Sequence, residues 1–295
     1  MNRNVLQPRW YAILLILFIP VGLYLFMVIA PIFFAGFYSL FKWSGGVSME
    51  FIGFGNYAAL LKDADFWSAF KNTFIFTALM VLGQVGIAFV LTLFLTMKWV
   101  KLTEFHRRVL FFPNVISAVV IGLMWQNIYS NQVGFLNPLL GFLGLEGWIH
   151  QWLSDPDIAL YSVAVPVIWQ YIGYYVVILS SAISAIPKDI LEVAELDGAN
   201  GWKRSVYITI PMIYSTLRIC VMICITGSFR AFDHISVMTA GGPAGRTMVL
   251  ALYNYEVSFS LMRMGYGCAV AVTILLMSLV LTFVSRLLLG GKNYE

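Results

Sequence analysis

The sequence predicts an all-α integral membrane protein with six transmembrane helices and both termini in the cytoplasm. Of its 295 residues, 60% are hydrophobic and only 11% are charged, and the mean hydropathy is +0.84. A soluble domain carries roughly 25% charged residues. Apolar runs of membrane-spanning length recur along the chain, and the few charges lie mostly between them. These observations exclude a water-soluble globule, a disordered chain and a nucleic-acid binder with a basic patch.

Each predicted span rests on a run of about 20 mostly apolar residues, the length that a helix needs to cross the hydrocarbon core. Charged or polar loops separate the runs, and only Arg218 interrupts one of them. No Asp or Glu falls inside any run. We predict one membrane domain over residues 1–295, with spans at 11–35, 72–97, 109–129, 158–186, 207–229 and 264–285.

The Lys and Arg residues give the orientation, because cytoplasmic loops of membrane proteins are enriched in them. With the N-terminus in the cytoplasm, eleven of the 18 basic residues fall in cytoplasmic segments and six in external ones, and Arg218 lies in the fifth span. An even number of spans returns the C-terminus to the same side. The first span is longer than the apolar core of a secretory signal, so we expect a retained anchor.

The membrane region lacks the groups that other classes of membrane protein use. A proton-coupled carrier usually has an intramembrane acid, and an integral enzyme has a cluster of acids, bases or metal ligands. The sequence has neither, and it has no phosphate-binding loop with a Lys. Cys220, Cys224 and Cys268 have no metal-binding spacing. We therefore predict no catalytic residue, no metal and no cofactor in this chain; a stand-alone carrier and a membrane-embedded enzyme are the less favoured alternatives.

The segment of residues 187–206, between the fourth and fifth spans, has the most distinctive pattern. Pro187 and Asp189 predict the start of a short helix, since acidic residues are favoured in a first turn. Asp197-Gly198 predicts its end, because glycine accepts a positive φ. From these residues alone, the segment is either a rigid knob that projects into the cytoplasm or a solvated connector.

The same segment carries a motif of the order E-x-A, three residues, G, nine residues, I-x-I-P. The matching residues are Glu192, Ala194, Asp197, Gly198, Ala199, Ile208, Ile210 and Pro211. This pattern resembles the EAA motif of binding-protein-dependent ABC transporter permeases, from which Val193 and Ile210 are mild departures. Further segments resemble the carbohydrate-uptake branch of that family in the same order, at residues 51–57, 72–73, 108–113, 134–137, 152–156 and 232–243.

The resemblance implies the ABC importer permease fold and the ATP-driven import of a carbohydrate, such as an oligosaccharide or a related sugar or polyol. It implies a bacterial or archaeal cytoplasmic membrane as the location. It also implies a second permease subunit, two ATPase subunits that bind ATP and Mg, and an extracellular or periplasmic solute-binding protein as partners, with no nucleic acid. Import of glycerol phosphate or another sugar-like anion is the alternative, for which Arg230 near the outer face is the relevant residue.

In that family the EAA loop forms a coupling helix that docks on the ATPase. The resemblance therefore implies an ATPase contact in which Leu191 and Leu196 are apolar anchors, and the coupling residues are Leu191, Glu192, Ala194, Leu196, Asp197, Gly198 and Ala199.

The substrate pathway is expected where polar and aromatic side chains lie away from the membrane interfaces. Aromatic faces stack on sugar C–H groups, while amides and hydroxyls bind sugar hydroxyls. The fourth span offers Trp169, Gln170, Tyr171, Gly173, Tyr174 and Tyr175. By motif distance, the resemblance places substrate contacts near Tyr171, Tyr174, Ser228 and Ala231. Ordinary helix packing, with Gly173 allowing close approach, is the alternative for the tyrosines.

Overall fold

The computed structural model describes residues 10–97, 100–199 and 201–288, and nearly all of its regular structure is helical. Both termini, residues 98–99 and residue 200 of the 187–206 segment lie outside the described residues. Five described helices are long and apolar enough to cross a membrane, and a bent pair of helices makes six if the pair counts as one span. The helices are Ile16–Tyr38, Ala64–Leu95, Ala159–Ser184, Trp202–Ser228 and Met264–Leu287, and the pair is Thr103–Val115 with Ala118–Tyr129. The all-α membrane fold is confirmed.

The chain divides into two compact units, which are described separately. The first comprises residues up to Asp63 together with Asn254–Leu275, and the second comprises Ala64–Tyr253 and the residues from Leu276. The first unit begins with α1 (Trp10–Tyr24), a π-helical turn and α2 (Ala30–Tyr38). Within Ile16–Tyr38, no residue of the most apolar stretch is buried against the rest of the chain, as suits a helix surrounded by lipid or by another membrane chain.

A small structure follows α2 in the first unit, in the segment predicted to be external. It consists of an antiparallel hairpin, in which Phe41 of the first strand pairs with Phe51 of the second, and a short helix. Asn56 Nδ2 donates hydrogen bonds of 2.8 and 2.9 Å to the carbonyl oxygens of Ser39 and Phe41. Asn56, which belongs to the 51–57 motif segment, therefore joins the short helix to the first strand of the hairpin. The elements are β1 (Phe41–Trp43), β2 (Met49–Phe51) and α3 (Gly55–Lys62).

The remaining helices follow in chain order. They are α4 (Ala64–Met80), α5 (Ile87–Leu95), α6 (Thr103–Phe111), α7 (Ala118–Tyr129), α8 (Leu136–Phe142), α9 (Ala159–Ser184), α10 (Lys188–Leu196), α11 (Trp202–Arg204), α12 (Ile210–Ser228), α13 (Asp233–Met238), α14 (Leu250–Tyr255) and α15 (Met264–Leu288). A π-helical segment joins α4 to α5, and another joins α11 to α12. The second and fifth crossings begin at Ala64 and Trp202, N-terminal to the predicted apolar runs, because each helix continues into its charged flank.

Helix α9 is at the centre of the second unit, where it contacts α4, α5, α6 and α12. Its buried side chains include Val163, Val176 and Leu179, each fully buried. A Cβ atom at Gly173 would overlap the carbonyl group of Leu110, so the backbones of α6 and α9 meet at this position. Gly173 is therefore a packing residue, because a small residue permits this close approach.

The third crossing differs from the single uninterrupted span predicted over residues 109–129. Helices α6 and α7 form an angle of 95°. Pro113 lies in a 3-10 turn after α6, and Ile116 and Ser117 are extended, with ψ of 141° and 137°. Non-helical backbone in a membrane protein requires other partners for its polar groups. Gln170 Nε2 of α9 supplies one, through a 2.9 Å hydrogen bond to the carbonyl oxygen of Ile116.

Proline also frees a backbone carbonyl inside α9. Pro166 has no N–H, so the carbonyl oxygen of Ser162, four residues earlier, loses its usual helical donor. Tyr129 Oη of α7 donates a 3.0 Å hydrogen bond to that oxygen. The contact joins the end of α7 to α9 and gives a hydrogen-bond donor to the carbonyl group that the proline leaves unpaired.

Candidate functional site

A cavity of about 420 Å³ lies within the second unit, among α4, α7, α9, α12 and α13. It is the site where the sequence-predicted pathway residues meet. Its lining includes all four of them, Tyr171, Tyr174, Ser228 and Ala231. These residues come from two crossings and from the loop after α12, so only the tertiary fold brings them together.

The tyrosines of α9 form one wall of this cavity. Tyr171 and Tyr174 are half-buried, whereas Tyr175 is buried. The rings of Tyr174 and Tyr175 are 5.2 Å apart and nearly perpendicular, at 80°. Of the six polar, aromatic or glycine residues noted in the fourth span, these three tyrosines line the cavity. Half-buried phenol rings offer both a face for a sugar ring and a hydroxyl group.

The other noted residues of that span have structural contacts instead. The ring of Trp169 packs edge-on against Trp125, with centroids 6.1 Å apart. Gln170 donates a hydrogen bond to the carbonyl oxygen of Ile116 at the bend, and Gly173 permits the close approach of α6. None of these three lines the cavity.

Helix α12 lines the cavity with Ile223 and with three small residues, Cys224, Gly227 and Ser228. Ser228 Oγ donates a 2.8 Å hydrogen bond to the carbonyl oxygen of Cys224, so the hydroxyl oxygen is free to accept but its proton is used. A Cβ atom at Gly227 would meet nothing within 4 Å. The cavity is therefore open against the backbone at Gly227.

Three polar residues after α12 also line the cavity; of these, only Arg230 was considered from the sequence, for the anionic substrate. Arg230 and Asp233 are exposed, whereas His234 is only 7% exposed. His234 Nε2 has no hydrogen-bond partner within the described part of the chain. Burial lowers the pKa of His234 to about 4, against an opposing effect of the Asp233 carboxylate. The imidazole is therefore neutral near pH 7 and offers one donor and one acceptor.

Residues of the second crossing complete the lining. Phe76 and Met80 are almost fully buried, and Gln84 is 5% exposed. Gln84 Nε2 donates to the carbonyl oxygen of Val167 at 3.2 Å, so the amide also ties this crossing to α9. Phe76 and Met80 give no sign in the sequence that they face a cavity, whereas Gln84, a polar residue inside an apolar run, is a signal that was not used.

The second predicted site is the loop that contains α10. Pro187 precedes the helix, and Asp197 follows its last residue. Gly198 has a φ of +76°, and its N–H donates to the carbonyl oxygen of Glu195 at 3.1 Å. The N–H of Ala199 donates to the carbonyl oxygen of Ala194 at 2.8 Å. This pair of bonds is the Schellman motif, which ends a helix at a left-handed residue and fixes the direction of the chain.

The structure separates the predicted loop residues into two faces. Ala194 is 5% exposed, and Leu191 packs half-buried against the core of its own unit. Both therefore pack against their own chain, and the role of Leu191 as an anchor for a partner stays a prediction. Leu196 is 87% exposed, as an anchor should be. Glu192, Asp197 and Gly198 are also exposed, and Ala199 is half-buried.

Two exposed apolar residues on α10 escaped the sequence analysis. Ile190 is 40% exposed and Val193 is 56% exposed, and both precede Leu196 at intervals of three residues. Residues three apart lie on one side of a helix. Ile190, Val193 and Leu196 thus form an exposed apolar face, which we call the α10 outer face.

Among the described residues, no group of three His, Cys, Asp or Glu side chains is able to hold a metal ion. Cys220, Cys224 and Cys268 are free thiols. The cavity and the α10 loop are the two places where the residues predicted from the sequence lie.

Comparison with known proteins places the chain among transport components. Residues 88–290 match the family model described as "Binding-protein-dependent transport system inner membrane component". The chain is 34% identical to the probable ABC transporter permease protein YurN of Bacillus subtilis, over 95% of both chains. It is 30% identical to the probable starch degradation products transport system permease protein AmyD of Thermoanaerobacterium thermosulfurigenes, over 91% of this chain and 90% of AmyD.

The fold is similar to that of a solved transporter chain. That chain belongs to the bacterial alginate ABC transporter, solved in complex with an alginate pentasaccharide-bound periplasmic protein. The TM-score is 0.83 at 20% sequence identity, over 94% of this chain and 93% of the other. At this identity the likeness shows the fold.

Proposed function

Because this chain belongs to the inner membrane components of binding-protein-dependent transport systems, we propose that it is a permease subunit of an ATP-driven carbohydrate importer. It is a multi-pass protein of the inner membrane. The observation that carries the proposal is the 420 Å³ cavity, in which tyrosines and small residues from two crossings meet. The matched residues 88–290 include most of its lining and the whole α10 loop.

The lining of the cavity favours a sugar as the substrate. Tyr171 and Tyr174 present aromatic faces, and neutral His234 and half-buried Asn114 present hydrogen-bonding groups. This combination is suited to an uncharged, hydroxyl-rich ligand. The name of the relative AmyD refers to starch degradation products, which are carbohydrates. An oligosaccharide or a related sugar or polyol is therefore the proposed substrate class.

A sugar-like anion, such as glycerol phosphate, is the second candidate because exposed Arg230 lines the cavity. Asp233, three residues later, lines it as well. The carboxylate offsets the positive charge of the guanidinium group, so the cavity has no net excess of positive charge from this pair. A neutral carbohydrate is the better fit.

Energy for import enters through α10 in this proposal. The outer face of Ile190, Val193 and Leu196 contacts an ATPase subunit, and Glu192 and Asp197 pair with its basic residues. Ala194 and Leu191 join α10 to the rest of the second unit. Movement of the ATPase would therefore be transmitted to α9 and the cavity. ATP and Mg bind to the ATPase subunits, and this chain itself catalyses no reaction.

The complete transporter then comprises this chain, a second permease subunit, two ATPase subunits and an external solute-binding protein. The second permease supplies the opposite wall of the translocation pathway. The binding protein docks on the external loops and delivers the substrate.

The proposal is tested with the complex reconstituted in proteoliposomes. Neutral oligosaccharides, polyols and glycerol phosphate are each added with the binding protein, and the ATPase rate and uptake are measured. We expect a neutral carbohydrate to stimulate both. Tyr171→Ala should abolish uptake, whereas Tyr161→Ala, a change at an exposed tyrosine on the same helix outside the cavity, should not. Stimulation by glycerol phosphate alone would replace the carbohydrate assignment.

A further inference from the structure

A second pocket of the second unit lies between α6 and the C-terminal part of α9. Its volume is about 300 Å³, and it shares no lining residue with the 420 Å³ cavity. Arg107 and Arg108 of α6 line it opposite Ser180 of α9. The charge bias of the loops assigns this end of α9 to the cytoplasmic side, close to the start of α10.

The polar groups of this pocket are incompletely paired. Ser180 is 1% exposed, and its hydroxyl has no hydrogen-bond partner among the described residues. Arg107 Nε is buried and also lacks a partner there, whereas Nη1 of the same side chain donates to Glu104 Oε1 at 2.7 Å. A buried donor without an acceptor is costly. Because Ser180 and Arg107 both supply donors, the pocket is suited to a ligand with several acceptor oxygens.

The charge of the pocket specifies the ligand further. Two guanidinium groups line it against a single carboxylate, that of Glu104. One positive charge is therefore left over. Arginine binds phosphate oxygens through parallel N–H donors, which a neutral ligand cannot match. An anionic ligand that carries phosphate fits this arrangement.

The outer side of α6 offers an apolar surface for a hydrophobic part of the ligand. Phe105, Val109 and Phe112 are 61%, 53% and 66% exposed. Their spacing of four and three residues places them along one side of α6 and the turn after it. An exposed apolar stripe beside basic side chains is typical of a helix that lies in the lipid interface. Basic pockets on the cytoplasmic side of membrane proteins bind anionic lipid headgroups.

We propose that this pocket binds the phosphodiester headgroup of an anionic phospholipid. Arg107 and Arg108 contact the phosphate oxygens, and the Ser180 hydroxyl donates to one of them. The acyl chains lie along Phe105, Val109 and Phe112. Because α6 packs on α9, a bound lipid stabilises the junction between the bent crossing and the helix that carries the cavity tyrosines.

The test is native mass spectrometry of the assembled complex, purified in detergent and supplied with phosphatidylglycerol or phosphatidylcholine. We expect the wild type to retain phosphatidylglycerol selectively. Arg107→Gln should lower this retention about fivefold, the effect expected for one interfacial arginine. The control Arg246→Gln removes an exposed arginine from a loop outside the pocket and should leave retention unchanged.

Three outcomes would overturn the proposal. The first is equal retention of phosphatidylglycerol by Arg107→Gln and by the wild type. The second is retention of inorganic phosphate with no selective retention of phosphatidylglycerol, which would identify free phosphate as the ligand. The third is loss of a partner subunit from Arg107→Gln with lipid retention unchanged, which would identify a protein carboxylate in the pocket.

A second, milder variant keeps the proposal testable if Arg107→Gln fails to fold. Ser180→Ala removes a single buried oxygen, and we expect lower phosphatidylglycerol retention with the complex intact. Unchanged retention in this variant would contradict the role of Ser180. Lipid retention does not depend on sugar or ATP, so failure of this proposal leaves the proposed import function untouched.

Discussion

Gln170 Nε2 donates a 2.9 Å hydrogen bond to the carbonyl oxygen of Ile116, at the bend between α6 and α7. Gln170 is 2% exposed, and the bend leaves Ile116 without its helical donor. Asn114 and Ala118, on either side of Ile116, both line the 420 Å³ cavity. A single amide of the fourth crossing therefore holds the irregular backbone that forms part of the cavity wall.

Replacement of this amide should destabilise the second unit. Gln170→Leu leaves the half-buried carbonyl of Ile116 without this donor, at a cost of about 1 kcal/mol. We expect a lower melting temperature of the purified chain and weaker substrate-stimulated ATPase activity. Gln126→Leu, at an exposed glutamine of α7, serves as the control. Equal melting temperatures of the two variants would show that the hydrogen bond does not hold the bend.

The Schellman motif after α10 predicts a specific effect at Gly198. Gly198 has a φ of +76°, and a side chain there would meet nothing within 4 Å. Gly198→Val should therefore act through backbone strain alone, of about 1–2 kcal/mol. We expect reduced stimulation of the ATPase by the liganded binding protein. Asparagine tolerates the left-handed conformation, so Gly198→Asn should remain close to wild type; identical behaviour of both variants would refute the argument.

The α10 outer face predicts which substitution disrupts the contact with the ATPase. Val193 is 56% exposed, so Val193→Asp places a charge in the apolar contact without disturbing the fold of the chain. We expect the variant to lose the ATPase subunits during affinity purification. Val47→Asp, at a fully exposed valine of the first unit, should retain them. Full retention by Val193→Asp would place the contact elsewhere.

His234 predicts a loss of stability on acidification. The pKa of His234 is lowered from an ordinary value of 6.5 to about 4 by burial. In that pH interval the unfolded chain binds a proton that the folded chain does not, so stability falls as the pH falls from 6.5 towards 4. The full difference is about 3 kcal/mol.

The measurement is the melting temperature of the purified chain between neutral pH and pH 4. His234→Gln should flatten the decline, because glutamine has no proton to gain. His106→Gln, at an exposed histidine, should leave the decline as in the wild type. A decline that is the same in all three proteins would exclude His234 as its source.

The sequence was sufficient to predict the crossings, because side chains in contact with lipid are apolar and charged side chains are confined to the loops. The bend at Ile116 was not predictable from Pro113, since membrane helices tolerate proline when other groups satisfy the backbone. The group that does so, Gln170, lies 54 residues away. A contact of this range is fixed by helix packing and not by local pattern.

The candidate sites were only partly predictable, because they too depend on tertiary contacts. The bounds of α10 followed from Pro187 and Gly198, which are local signals. Its outer face did not, because both Leu191 and Val193 are apolar and only tertiary contacts decide which one is buried. In the cavity, Tyr171 and Tyr174 stood out as aromatic, whereas the chemistry of buried His234 depends on neighbours that are distant in sequence.

The most direct test of the account uses the open wall of the cavity at Gly227. Gly227→Leu adds a side chain into free space within the cavity, and Gly36→Leu adds the same side chain to α2, also into free space. Uptake of radiolabelled sugar is measured in proteoliposomes that contain the complete transporter. If this cavity is the translocation pathway, uptake falls to background in Gly227→Leu, with the complex assembled, and stays at the wild-type rate in Gly36→Leu. Wild-type uptake by an assembled Gly227→Leu complex would contradict the assignment of this cavity as the translocation pathway.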